Sequence, residues 1–343
     1  MTERTRGGAG PVAERLRMAY QFHPTMAYGD AVGNDCFELQ RLFWTCGVGS
    51  ELFADEAKPE VRPFVRDRRD LRRERTDASA LLVHVSMGND SLDEVRTLPQ
   101  RKVVVYHNIT PARFFKGVNE HAEHYAEIGR RQLAELAAVS ELGIADSEYN
   151  RRELEELGYA RTAVVPIVVD WSAFTAEPDE AVLRELAGER TDILVVGQIL
   201  PQKAIHDVIA GFARYCEGDR TARLHLVGST AMSAGYLEQL RAQVDELGLG
   251  DAVRFTGSVS AARLAAYYRG ATALLTLSDH EGFCVPLLEA MRSDLPVVAH
   301  AAGAIPETLG DAGVLLPRKS PDEVAAALER VVGDAGLQRA LIE

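Results

Sequence analysis

The chain has 343 residues, 46% hydrophobic and 26% charged, a composition typical of a folded protein large enough for two domains. Its formal net charge of -13 argues against general nucleic-acid binding, which requires a basic face. No apolar run approaches the roughly 18 residues of a membrane span, and residues 1–8 lack the apolar core of a secretory signal. We expect no transmembrane segment, and peripheral membrane contact stays open.

Four cysteines lie far apart, with no Cys-x-x-Cys pair and no histidine at metal-ligand spacing: Cys36, Cys46, Cys216 and Cys284. This pattern is typical of reduced thiols rather than of disulfides or metal ligands. We therefore expect a cytoplasmic protein without a metal site.

The first half of the chain alternates apolar runs with helical patterns. The predicted strands are 16–22, 51–54, 80–85, 101–107, 142–146 and 163–169, and the predicted helices are 31–46, 120–139 and 148–157. Residues 66–75 form a mixed-charge run. Because acidic residues interrupt it, the run favours a solvated helix face or loop over a basic patch for phosphate or anionic lipid.

The second half alternates more regularly. Its predicted strands are 193–196, 224–227, 253–256, 273–277, 296–299 and 313–316, and its helices are 204–215, 235–247, 261–269, 286–292 and 321–332. Such alternation predicts a doubly wound α/β domain with a parallel sheet. The charged stretch 170–192 is interpreted as the connection between two domains. We therefore predict two facing Rossmann-like domains, 1–175 and 176–343, with a ligand cleft between them.

The junction after the predicted strand 273–277 carries two carboxylates. Glu281 lies in a polar, glycine-containing loop, and Glu289 lies about one turn into the helix that begins near Pro286. The free N–H groups of a helix start bind anions, and ligands of open α/β sheets bind at the carboxyl ends of strands. An anionic ligand with hydroxyls, such as a sugar nucleotide, suits this arrangement.

Three other strand-to-helix junctions hold weaker candidates. Lys203 precedes a helix and would neutralise a diphosphate, or it is a surface lysine without a role. His107 ends a strand and would point into the cleft, or it is structural. Gly33 lies in a sequence that resembles a phosphate loop, or that forms a tight turn with Asp30 as helix cap.

Several common catalytic motifs are missing from the sequence. It contains no P-loop, no Gly-x-Gly-x-x-Gly after a strand, no Gly-x-Ser-x-Gly elbow and no metal-binding cluster. These absences lower the odds of an NTPase, a nicotinamide oxidoreductase, a serine hydrolase or a metalloenzyme.

Taken together, these pieces resemble the retaining glycosyltransferases of the GT-B fold, family 4, also described as glycosyl transferases group 1. Residues 280–291, His-Glu-Gly-Phe-Cys-Val-Pro-Leu-Leu-Glu-Ala-Met, match the Glu-x7-Glu signature of that family. Matching segments in the family's usual order are 145–150, 165–170, 255–259, 267–268, 296–299 and 303–308. The resemblance covers roughly residues 16–335 and is more specific in the second half.

The resemblance implies a nucleotide-sugar donor, with UDP- or GDP-sugars favoured, bound mainly by the second domain. Glu289 would bind the ribose hydroxyls and Glu281 the donor sugar. The backbone amides nearby belong to Phe283, Cys284 and Val285.

Further roles follow from the same resemblance. Lys203 would neutralise the diphosphate, and Gly257, Ser258 and Val259 would border the base. In the first, acceptor-side domain, Gly33 would approach the phosphates.

The catalytic group that the resemblance implies consists of His107, Lys203 and Glu281, with His107 approaching the sugar. Related enzymes transfer a hexosyl group to a hydroxyl acceptor with retention and without metal. The leaving phosphate is thought to help deprotonate the incoming hydroxyl. The acceptor is a small molecule, a glycan or a carrier-linked group.

Two positions depart from the family pattern. Gln198 stands where the family usually has an arginine, and Ala204 stands where a glycine commonly follows the lysine. A lost charge-assisted contact of this kind costs about 2–4 kcal/mol of transition-state stabilisation. Two alternatives therefore stay open: a weakly active or inactive sugar-nucleotide-binding protein, and a pseudo-glycosyl transferase or epimerase of the same fold.

Overall fold

Two parallel β-sheets organise the computed structural model, which describes residues 16–171, 174 and 177–343. The strands of the first sheet are β1 (Met18–Phe22), β3 (Gly49–Ala54), β5 (Val65–Asp67), β6 (Ser79–Val85), β7 (Arg101–Tyr106), β8 (Ser140–Ala145) and β9 (Thr162–Val164). They lie in the order β5-β3-β1-β6-β7-β8-β9. β2 (Thr25–Met26) and β4 (Glu56–Ala57) form a separate short ladder. The helices of this half are α1 (Ala31–Thr45), α2 (Leu92–Thr97), α3 (Glu120–Ala137) and α4 (Glu148–Glu156).

The second sheet has six strands in the order β12-β11-β10-β13-β14-β15. They are β10 (Asp192–Val196), β11 (Arg223–Val227), β12 (Val253–Gly257), β13 (Ala273–Thr276), β14 (Val297–His300) and β15 (Val314–Leu316). The helices are α5 (Glu180–Leu186), α6 (Ile205–Tyr215), α7 (Ala234–Glu246), α8 (Ala261–Gly270), α9 (Val285–Arg292), α10 (Ile305–Leu309), α11 (Pro321–Gly333) and α12 (Ala335–Ile342). The reversal of strand order between β10 and β13 opens a crevice at their carboxyl ends.

Continuous apolar runs make these strands, because helices cover both faces of each sheet. All seven residues of β6 are buried, and one face of the second sheet packs against α6, α7 and α11. The opposite face packs against α8 and α9. In the described part of the chain, no helix is both long and apolar enough to cross a bilayer.

The carboxyl ends of the two sheets face each other. Asn108 and Ser147, which follow β7 and β8, contact the segment after β13: Asn108 Oδ1 lies 2.5 Å from His280 Nε2, and Ser147 Oγ donates to the Gly282 carbonyl at 2.8 Å. Glu307 of α10 accepts from the backbone N–H of Glu148 at 2.7 Å, at the start of α4. The two sheets therefore form the walls of one cleft.

The predicted fold class, two facing doubly wound α/β domains, is confirmed. The division at residues 175 and 176 stays a prediction. The stretch 170–192, interpreted as a connection, contains the short helix α5, whose Val182 and Leu186 pack against α8. A seven-residue helix with only two core positions has too weak a periodicity to be recognised from its sequence.

The mixed-charge run 66–75 completes β5 and continues as a 3-10 helix over Arg68–Arg73. Its arginines pair with carboxylates of the same domain: Arg66 with Glu51, Arg68 with Asp55 and Glu94, Arg69 with Asp67, and Arg75 with Asp77. The interpretation as a solvated face rather than an anion-binding patch is therefore supported.

Candidate active site

The loop between β13 and α9 holds Glu281 in a fixed position. Ser278 Oγ donates to Glu281 Oε1 at 2.7 Å, and Lys203 Nζ donates to the same oxygen at 2.6 Å. The backbone is held as well, because Ala304 N–H donates to the Glu281 carbonyl at 3.0 Å. Gly303 has φ +56°, and a Cβ there would lie 2.4 Å from the Glu281 carbonyl oxygen, so only glycine fits.

Lys203 reaches this carboxylate from the other side of the crevice. Burial disfavours its ammonium form, but the charge of Glu281 and its hydrogen bond outweigh burial and raise the pKa of Lys203. The lysine is followed by Ala204, whose φ of +49° is in the left-handed region. Glycine adopts this conformation most easily, which explains why glycine is common at this position in the family that the chain resembles. Gln198, at the end of β10, is exposed.

Glu289 lies one turn into α9 and is held by Tyr268 of α8. Tyr268 Oη donates to Glu289 Oε2 at 2.6 Å. Burial raises the pKa of Glu289, and the hydrogen bond from Tyr268 opposes that rise. The second carboxylate oxygen is left for another donor.

The residues at the start of α9 bring backbone groups between the two carboxylates. Cys284 is the helix N-cap in the left-handed region, with φ +75°, and Val285 begins the helix. Thr308 Oγ1 donates to the Phe283 carbonyl at 2.6 Å. Pro286 has no N–H, and the Leu287 N–H donates to the Cys284 carbonyl at 3.1 Å, so among the first residues of α9 the Val285 N–H is the one available to an anion.

Gly257 ends β12, and Ser258 and Val259 follow it. The Gly257 carbonyl accepts from Gly228 N–H at 3.0 Å, and a Cβ at Gly228 would lie only 1.7 Å from the Gly197 carbonyl oxygen. The three strand ends are therefore in close backbone contact. Ser258 is exposed, and Val259 packs partly against the core.

Gly33 lies inside α1 rather than in an open loop. Asp30 is the helix N-cap, and its carboxylate accepts from Gly33 N–H at 3.1 Å. A Cβ at Gly33 would lie 2.3 Å from the Ala27 carbonyl oxygen, which accounts for the glycine by packing. The helix-cap interpretation is thus supported, and a contact of Gly33 with phosphate stays a prediction.

His107 is buried directly after β7, with both ring nitrogens engaged. Nδ1 lies 3.0 Å from Asp146 Oδ2, and Nε2 lies 2.9 Å from Nδ1 of His84. Its contact with a sugar stays a prediction. Sequence reasoning did not assign His84, Asp146 or the orienting Tyr268 to the site, although Asp146 and Tyr268 lie in the matching segments 145–150 and 267–268.

A cavity of about 700 Å³ opens on the first-domain side of the cleft. It lies at the carboxyl ends of β1 and β6, and Met232 from the second half closes one side. The histidines and carboxylates among its described lining residues are His23, Asp55, Glu56, Asp90 and His121. Burial lowers the pKa of His23 to about 4, so its ring is neutral near pH 7.

Residues 181–343 match the model of the family described as glycosyl transferases group 1. This part of the sequence, 163 of the 343 residues, is what the chain shares with that family. The matched residues include Lys203, Glu281 and Glu289, which line the crevice at the carboxyl ends of β10 and β13.

Relatives support the same assignment over part of their length. A D-inositol 3-phosphate glycosyltransferase of Kineococcus radiotolerans is 31% identical over 235 residues, which cover 62% of this chain and 53% of that protein. An MMP alpha-(1->4)-mannosyltransferase of Mycolicibacterium hassiacum is 31% identical over 223 residues, covering 62% and 50%. The chain spans about half the length of these relatives.

Solved structures match nearly the whole chain. Sucrose-phosphate synthase from Thermosynechococcus elongatus has a TM-score of 0.73 at 18% identity, covering 95% of this chain and 92% of that one. Anabaena Alr3699/HepE in complex with UDP-glucose has a TM-score of 0.69 at 17% identity, with the same coverages. The chain therefore has the GT-B fold of these structures.

Proposed function

We propose that the protein is a retaining glycosyltransferase that moves a sugar from a nucleotide-sugar donor to a hydroxyl acceptor without a metal. The observation that carries this proposal is the arrangement of Lys203, Glu281 and Glu289 around the start of α9. It combines an ammonium, the backbone N–H of Val285 at the helix start and two carboxylates in one crevice. A diphosphate linked to a ribose and a sugar needs this combination of groups.

Each group has a distinct role in the proposed reaction. Glu289 accepts from the ribose hydroxyls with the oxygen that Tyr268 does not occupy. Lys203 keeps one N–H on Glu281 and turns the others to the diphosphate, where negative charge grows as the sugar leaves. The helix start of α9 adds positive potential, so the leaving group is stabilised without a metal.

Retention follows if the acceptor hydroxyl attacks from the face that the diphosphate leaves. The departing phosphate oxygen then accepts the proton of that hydroxyl, and no protein nucleophile is required. Glu281 holds the donor sugar in this arrangement, fixed by Ser278 and Lys203. UDP- and GDP-sugars are the expected donors, and the UDP-glucose complex of the structurally similar Anabaena protein supports the former.

The acceptor site is the cavity of about 700 Å³ on the first-domain side. Asp55 is paired with Arg68, whose Nε donates to it at 2.6 Å, whereas neither Glu56 nor Asp90 has an ion pair in the described part of the chain. None of the described residues lining the cavity is a lysine or arginine. This lining favours a neutral or cationic hydroxyl acceptor over a phosphorylated one, so the inositol phosphate in the name of some relatives is not carried over.

Gln198 supports a second candidate, a sugar-nucleotide-binding protein with little or no transfer activity. It brings a neutral side chain where the resembling family has an arginine, which removes a charge from the diphosphate site. A radiolabelled-donor assay separates the two candidates. Transfer to a hydroxyl acceptor supports the glycosyltransferase, and tight donor binding without transfer or hydrolysis supports the second candidate.

The variant Lys203→Ala tests the site itself. We expect turnover to fall about 30- to 1000-fold, because about 2–4 kcal/mol of transition-state stabilisation is lost. Lys319→Ala is the control, since Lys319 is also half-buried and ion-paired, but its described ion pairs are with Asp207 and Asp279 and not with Glu281 or Glu289. Equal turnover of the two variants would show that Lys203 has no part in catalysis.

A further inference from the structure

We propose that His84 and His107 form a proton-sharing dyad that carries one positive charge on the first-domain wall of the cleft. In this dyad, His84 is the positioning residue that keeps both ring nitrogens of His107 protonated. The proposal concerns the same site as the proposed glycosyl transfer and rests on it for its role in catalysis. The charge itself follows from hydrogen-bond directions alone.

The first direction comes from Gln21 in β1. Its Nε2 donates to the Cys36 carbonyl at 3.1 Å, and a carbonyl only accepts, so the amide orientation is determined. Oε1 of Gln21 therefore faces His84 Nε2 at 3.0 Å. An amide oxygen only accepts, so His84 Nε2 carries a hydrogen.

The second direction comes from Asp146 at the other end of the chain of contacts. Its carboxylate lies 3.0 Å from His107 Nδ1, which therefore also carries a hydrogen. The two nitrogens that remain, His84 Nδ1 and His107 Nε2, lie 2.9 Å apart. This contact requires one hydrogen between them. Four ring nitrogens thus hold three hydrogens, which is one more than two neutral rings carry.

The carboxylates around the dyad locate the charge on His107. The ionisable groups that face His107 are His84 of β6, Asp146 after β8, Asp35 of α1, Asp30 before α1 and His23 after β1. Burial disfavours the charged ring, but Asp146, Asp35 and Asp30 outweigh burial and raise the pKa of His107. Burial lowers the pKa of His84 well below its usual value, so His84 is the neutral partner.

A proton rather than a metal ion fits between the rings. Asp35, His84 and His107 offer donor atoms within 4.8 Å of one another. However, the two ring planes differ by only 7°. The ring centroids are 5.2 Å apart, and this distance equals the 2.9 Å between the two nitrogens plus about one ring radius on each side. The rings are therefore coplanar and head to head. Their lone pairs point along one line and do not converge on an ion.

The dyad lies close to the reacting groups. The His107 carbonyl oxygen contacts Gly282, where a Cβ would lie 3.1 Å away, and Gly282 follows Glu281 directly. A buried cation at this position attracts the charge that grows on the leaving diphosphate, in a domain opposite Lys203. It supplies positive charge in a site where Gln198 brings none.

Nitrogen-15 NMR of the wild-type protein, labelled at histidine, tests the charge without any need for turnover. At pH 7.5 we expect both His107 nitrogens in the protonated range, one bare nitrogen on His84, and a coupling across the N–H···N bond. The signals are assigned with the single variants His84→Gln and His107→Gln. Two neutral rings with one bare nitrogen each would overturn the dyad, and so would loss of these signals on adding Zn²⁺.

The positioning role is tested with two variants at position 84. His84→Gln keeps an acceptor for the N–H at His107 Nε2 and should retain turnover within about threefold of wild type. His84→Leu removes this acceptor and should lower kcat about tenfold, with little change in the KM for the donor. Equal kcat and equal pH profiles for the two variants would overturn the role. If the wild-type protein binds donor but transfers nothing, the proposed function fails while the NMR result still decides the dyad.

Discussion

Replacing Glu289 by glutamine removes one charge while keeping the shape of the side chain, and it should change binding and stability in opposite directions. In the free protein, the carboxylate is buried beside Tyr268 and has a raised pKa. In the donor complex, the same charge would accept from the ribose. The variant should therefore bind UDP more weakly and yet unfold at a higher temperature.

The loss of binding can be estimated from hydrogen bonds to a charged group, each of which contributes about 1.5–3 kcal/mol. The amide of glutamine keeps one acceptor oxygen, which Tyr268 Oη already engages, and turns an N–H toward the ribose. A loss of about 2 kcal/mol corresponds to about a 30-fold rise in Kd. Isothermal titration calorimetry with UDP measures this change.

The sign of the stability effect follows from the raised pKa of Glu289 in the folded state. A raised pKa means that folding favours the protonated carboxyl, so its stabilising contribution is present at acidic pH and is lost as the pH rises through the folded-state pKa. At pH 7 the wild-type protein bears the cost of a buried charge, which glutamine does not. We expect a higher Tm for Glu289→Gln at pH 7 and a smaller difference at pH 4.

Tyr268→Phe is the control for this prediction, because it removes the hydroxyl that stabilises the carboxylate and leaves the charge in place. It should lower Tm and change the Kd for UDP less than Glu289→Gln does. An unchanged Kd for UDP in Glu289→Gln would refute the ribose contact. A lower Tm at pH 7 would refute the reasoning about burial.

Three further predictions concern backbone conformation and charge. Gly303→Ala should lower the free energy of unfolding in urea by about 2 kcal/mol more than Gly310→Ala does. Both glycines have φ near +55°, but only Gly303 touches the carbonyl of Glu281. Equal losses of unfolding free energy would contradict the close contact. Asp294→Gly, at an exposed helix end with φ +53°, should raise the unfolding free energy by about 1 kcal/mol, and no gain would show that the aspartate is unstrained. Gln198→Arg should leave transfer equal or faster in the radiolabelled-donor assay, whereas a large loss would reveal a specific role for Gln198.

Much of the fold could be predicted from local patterns. The apolar runs of 80–85, 224–227 and 273–277 became β6, β11 and β13 within about two residues at each end. Elements without a strong periodicity were missed, such as β5 and α5. A three-residue edge strand rich in charge carries no hydrophobic alternation, so its sequence resembles that of a loop.

The sequence by itself determined the motif between β13 and α9, because Glu281 and Glu289 are only eight residues apart and one loop and one helix turn place them. It also identified Lys203 as a candidate. Only the tertiary structure brought Lys203 to Glu281, 78 residues away, since the sheet order makes β10 the neighbour of β13. Similarly, adjacent strands β6, β7 and β8 align His84, His107 and Asp146. Such contacts depend on which strands pair, and strand order is decided by packing over the whole chain rather than by any local pattern.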